Sequence, residues 1–100
     1  MPLAQGTLPG TQGPIYTAPP GGKVITSIEL ANDSTGTGTC TINLFIRRKG
    51  RDAKRILPLN TQIAVEEVIT EEKVRRLNEG DQIEGSSTDA DDIDFTIEGG

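Results

Sequence analysis

Four aspartates, Asp89, Asp91, Asp92 and Asp94, fall within six consecutive positions. Clustered carboxylates can hold calcium, but the central glycine and terminal glutamate of a helix–loop–helix calcium loop are missing here. On a strand, Asp92 and Asp94 would share one face about 7 Å apart, which suits at most a loose surface site. Glu66-Glu67 and Glu71-Glu72 are paired carboxylates. Glycoside hydrolysis would need two of them across a cleft, and a domain of 100 residues rarely encloses one. Gly21-Gly22-Lys23 lacks the full glycine–lysine–hydroxyl spacing of a phosphate loop. The chain has no histidine, so the usual general base near neutral pH and the commonest metal ligand are absent. Serine, threonine and cysteine nucleophiles therefore lack their usual partner. Cys40, the single cysteine, excludes an internal disulfide and a cysteine zinc cluster, and its place in an apolar alternation predicts a buried thiol. No enzymatic site and no cofactor are expected.

What remains is charge, and it is segregated. Six of the ten basic residues lie between positions 47 and 55: Arg47, Arg48, Lys49, Arg51, Lys54 and Arg55. From Leu77 onward there is no base but eight acids: Glu79, Asp81, Glu84, Asp89, Asp91, Asp92, Asp94 and Glu98. A basic run can bind nucleic acid. This one has no aromatic residue for base stacking, and a net charge of −5 repels phosphate, so nucleic acid is an unlikely partner. Solvated loops that keep sheet edges soluble account for such charges without any partner. The sharper expectation is a contact between copies. Arg47, Arg48, Lys49 and Arg51 of one would face Asp89, Asp91, Asp92 and Asp94 of the next, a heterologous arrangement that closes into a trimer or ring.

The elements that must position these groups are strands. Val24, Thr26, Ile28 and Leu30 alternate with Ile25, Ser27, Glu29 and Ala31, a period of two rich in β-branched residues. Cys40, Ile42, Leu44 and Ile46 repeat the pattern, as do Ile93, Phe95 and Ile97 against an acidic face. Shorter strands are expected at Arg55–Leu59, Gln62–Thr70 and Gln82–Ser86, with a turn or single helical turn at 71–77. Asn32-Asp33-Ser34 fits a glycosylation sequon but reads as the start of a loop over 32–38. Six or seven short strands separated by glycine and serine turns point to a β-sandwich or small barrel.

Residues 1–22 stand apart. They hold five prolines, five glycines and no charge, which excludes a helix or a central strand. They are expected to form an extended N-terminal arm, with residues 23–100 as the folded domain. Disordered tails are usually charged. This segment instead carries Leu3, Leu8, Ile15 and Tyr16, which are expected to lie against a neighbour. It has no basic start or long apolar run, so no signal peptide is expected. No stretch approaches the ~20 apolar residues of a membrane helix, so no membrane partner is expected.

Tyr16-Thr17-Ala18-Pro19 and Lys23 to Asn32 resemble the opening of small virion proteins of tailed bacteriophages. Leu77-Asn78-Glu79-Gly80-Asp81-Gln82-Ile83 and Ile93-Asp94-Phe95-Thr96-Ile97 resemble their closing half. Together these stretches span roughly residues 14–98. The resemblance implies a jelly-roll-like β-sandwich in a phage particle assembled in the host bacterial cytoplasm. It implies most directly a capsid decoration (cement) protein that binds itself and the major capsid protein, gripping the shell through its arm. A neck or tail component is the neighbouring reading, and the basic stretch at 47–55 is not typical of these proteins. A carbohydrate-binding module of a fibre is a reading from another class. It would need an exposed aromatic, and only Tyr16, Phe45 and Phe95 exist.

Overall fold

The computed structural model describes residues 2–32, 38–88 and 92–100. Asp89 and Asp91, and the loop positions 33–37, lie outside the described residues. Among the described residues ten strands follow one another: β1 Ala4–Thr7, β2 Gly13–Thr17, β3 Lys23–Asn32, β4 Cys40–Arg47, β5 Ala53–Arg55, β6 Thr61–Ile63, β7 Val68–Glu71, β8 Arg75–Leu77, β9 Gln82–Ser87 and β10 Ile93–Gly99.

Their pairing is that of one long antiparallel ribbon rolled up. β1 pairs β10, β2 pairs β9, β3 pairs β7 and β8, and β4 pairs β5 and β6. The roll closes where β10 also pairs β3 and β9 also pairs β4. One sheet is then β1-β10-β3-β7/β8 and the other β2-β9-β4-β5/β6. This is a jelly-roll β-sandwich.

The core is aliphatic because the alternation puts it there. Ile28 and Leu30 of β3, Cys40, Ile42 and Leu44 of β4, and Ile93, Phe95 and Ile97 of β10 are all buried. Each such aliphatic side chain stabilises the fold by about 1.5–3 kcal/mol. In β3 the simple alternation fails at one point. Ile25 is buried as well as Ile28, although the period of two puts them on opposite faces. The register with β10 shifts so that Glu98 faces Ser27 while Gly99 faces Ile25. Thr26 is the extra residue of a β-bulge, and the bulge turns Ile25 inward. Gly99 permits the close approach, since a Cβ there would collide with the Val24 carbonyl oxygen.

Residues 2–22 are not an arm in this structure. β1 and β2 are the outermost strands on one side of the two sheets. Leu8 bridges them and is fully buried. Its N–H donates to the Ile93 carbonyl (2.9 Å), and the Ser87 N–H donates to the Pro9 carbonyl (2.9 Å). Gly85 leaves the space Leu8 fills, since a Cβ there would lie 2.9 Å from Leu8 Cδ2. Proline is excluded from central strands but tolerated at a sheet edge, where its missing N–H would face solvent. Pro14 occupies such an edge position, in β2.

Three further expectations shift. Gln62–Thr70 is not one strand, because the chain leaves one sheet for the other at Ala64–Glu67. There the Glu67 N–H donates to the Ala64 carbonyl (2.9 Å), and Glu66 takes φ 67°. Residues 75–77 form strand β8 rather than a helical turn, and the short strand expected at Arg55–Leu59 falls earlier, at Ala53–Arg55. Asn32 pins the crossover. It is buried, and its Nδ2 donates to the carbonyls of Gly38 (3.0 Å) and Ile63 (2.9 Å). With both amide hydrogens engaged, the sequon asparagine is not presented for glycosylation in the folded chain.

Candidate functional site

The basic stretch is built on the end of β4 and the turn into β5. Arg47 lies on the outer face of its sheet, where its Nε donates to Glu84 Oε2 (2.9 Å). Gln12 donates to the other oxygen, Oε1 (2.7 Å), so Glu84 is covered from both sides and is only 6% exposed. Arg48 Nη1 donates to Asp81 Oδ2 (2.9 Å) and to the Arg76 carbonyl (2.6 Å). Asp81 is 3% exposed. Its Oδ1 accepts the Lys49 N–H and its Oδ2 the Asn78 N–H, each at 2.9 Å. Asp81 therefore joins the turn after β4 to the turn before β9.

Both carboxylates titrate below their ordinary range. Burial alone would raise Asp81, but the Lys49 and Asn78 N–H groups and the Arg48 guanidinium outweigh it and lower it. Burial likewise opposes ionisation of Glu84, and the bonds from Gln12 and Arg47 reverse the balance. Tyr16 is pushed up by burial. These are carboxylates held ionised for structure, not acids tuned to exchange protons near neutral pH.

An open hollow of about 480 Å³ lies between the basic turn and the turn before β9. Arg48, Lys49, Arg51 and Lys54 line it together with Asp52, Glu79 and Asp81. The two signs nearly cancel, and no hydroxyl or thiol nucleophile lines it. Among the described residues no cluster of three histidine, cysteine, aspartate or glutamate side chains is placed to hold a metal ion. Among the same residues no helix is long and apolar enough to cross a membrane.

The residues expected at an interface scatter. Leu8 is core, and Leu3, Ile15 and Tyr16 are half-buried against it. Arg47 and Arg48 meet Glu84 and Asp81 of the same chain, whereas Lys49 and Arg51 are exposed. Asp92 is half-buried, and Asp94 is exposed opposite Thr7 and Ala31. That places Asp94 at the Asn32 end of the sandwich. The basic turn lies at the other end, beside Arg76, which faces Val24. Among the described residues, the structure does not bring Asp92 or Asp94 to the basic turn within one copy. None of the three aromatic residues is exposed for stacking on a sugar: Phe95 is buried, and Tyr16 and Phe45 are half-buried.

Sequence reasoning counted Asp81 and Glu84 among the acids without singling them out. The available signal was the turn sequence Asn78-Glu79-Gly80-Asp81, with an aspartate placed to accept backbone N–H groups. It also missed the exposed apolar residues Leu59, Val65, Val68 and Val74. Comparison with protein-family models, with curated proteins and with solved structures finds no match to this chain.

Proposed function

We propose that the chain is a structural subunit of a tailed-phage virion, a capsid decoration (cement) protein that associates with copies of itself and with the major capsid protein. The observation that carries the reading is where the resembling stretches lie. Tyr16–Pro19, Lys23–Asn32, Leu77–Ile83 and Ile93–Ile97 fall on β2, β3, β8–β9 and β10, and β10 with β3 forms the middle of one sheet. They include both middle strands of that sheet, and a jelly roll is what the resemblance implies. The buried carboxylates of Asp81 and Glu84 are neutralised by arginines of the same chain and tie its turns together, which suits a scaffold. Because the N-terminal segment serves the chain's own fold, contact with the shell falls to exposed surface rather than to a free arm.

Gold-labelled antibody against the chain, applied to phage particles released from the bacterium that encodes it, tests the reading by electron microscopy. Label over the heads is expected. Label confined to necks or tails would reassign the protein to those parts, and unlabelled particles would remove the virion reading altogether.

A further inference from the structure

The exposed apolar residues are not spread over the molecule. Leu59, Val65, Val68 and Val74 are 41–64% exposed, and all lie in the run from β5 to β8. That run forms one rim of the sandwich. β7 and β8 pair only with β3, and β5 and β6 pair only with β4. At each end the middle strand of one sheet, or the residue just after it, is tied to an edge strand of the other, by Asn32 to the Ile63 carbonyl and by Arg48 to the Arg76 carbonyl. Single exposed apolar residues are ordinary, but four gathered in one run of chain beside sheet edges suit pairing with another surface.

Charge along this rim is graded. At the Ile63 end stand Glu66 and Glu67, both exposed; at the Arg76 end stand Lys54, Arg55 and Arg76, also exposed. A two-fold axis through the middle of the rim would lay the acidic end of one copy on the basic end of the other, and would do so twice. Such self-complementarity defines an isologous contact. We propose that the β5–β8 rim is a self-association surface whose occupant is the same rim of a second copy, running antiparallel to the first. The exposed apolar side chains supply the attraction, and the graded charge fixes register and direction. This rests on the reading of the chain as a self-associating subunit, and names a two-fold contact in place of the head-to-tail one expected from sequence.

The test uses complementary charge reversals on the full chain, with mass measured by sedimentation at low salt. Wild type is expected at twice the 10.7 kDa chain mass. Glu66→Lys with Glu67→Lys makes both ends basic, and Lys54→Glu with Arg55→Glu makes both ends acidic. Each variant alone is expected to associate at least tenfold more weakly, and the mixture is expected to restore a one-to-one dimer. Thermal melting of each variant confirms that it is folded. Should either double variant fold poorly, Val68→Ser with Val74→Ser replaces it, with the same tenfold loss expected. Assembly that ignores all these changes would overturn the rim while leaving a self-associating subunit. A monomer at every concentration would overturn both.

Discussion

The two rims of this sandwich face the same problem with opposite materials. One rim, β1 and β2, comes from residues 4–17, which carry no charge and include Pro9 and Pro14. The other, β5 to β8, comes from residues 53–77, which are dense in both charges and expose four large apolar side chains. Sheet edges invite pairing with other chains, and proline and charge are alternative ways to control that. In the first rim Pro14 offers no N–H and Leu8 is spent in the core. The second has no proline inside a strand and keeps four apolar side chains outside, so charge is left as its means of control; under the self-association proposed above, those charges select the partner. A segment can thus look like a tail in sequence and be integral to the fold.

The largest effect should come from the quiet rim. Leu8→Ala leaves a cavity beside Gly85 and Ile93 and should cost about 2–5 kcal/mol in chemical denaturation. Deleting residues 2–17 should abolish cooperative unfolding. A deletion variant that melts like wild type would return the segment to the status of an arm.

Next comes the knot at the basic end of the charged rim. Asp81→Ala leaves the Lys49 and Asn78 N–H groups and Arg48 without their acceptor, and should cost about 1.5–3 kcal/mol by denaturant titration. If instead Asp81→Ala costs no more than an exposed Glu79→Ala, the knot is not a stabilising feature.

A pH profile separates the same carboxylates. Their folded pKa values lie below the unfolded ones. The stability they contribute is therefore complete above the unfolded carboxylate range and is lost as pH falls through and below about 4. Stability should decline there in wild type and decline less steeply in Asp81→Asn and in Glu84→Gln. Identical acid limbs in all three would show that other groups control acid unfolding. The smallest effect on the monomer belongs to Val68→Ser and Val74→Ser, each within about 0.5 kcal/mol because both side chains are already in water. A larger loss, measured where the protein is monomeric, would mean that these valines serve the fold rather than a partner.

Much of the sandwich was legible. β3, β4 and β10 announce themselves by alternation, and Ile93, Phe95 and Ile97 face inward as their spacing predicts. Cys40 is buried, as its neighbours imply. The first rim was not legible because an edge strand is held by backbone pairing to β10 or β9 and by one buried leucine, none of which imposes a period of two. The crossover at Ala64–Glu67 turns on a positive φ at a glutamate, where sequence habits look for glycine. The pairs Arg47–Glu84 and Arg48–Asp81 span 37 and 33 positions. Only the roll brings them together, so sequence showed opposite charges without showing that they meet in one copy. The bulge at Thr26 leaves no mark because threonine suits either face of a strand.

Amide hydrogen exchange followed at low and high protein concentration addresses both rims at once. Amides of residues 53–77 should exchange more slowly as concentration rises, while those of residues 4–17 stay protected to the same degree throughout. Concentration-dependent protection at residues 4–17 instead, with 53–77 unchanged, would mean that the roles of the two rims have been assigned the wrong way round.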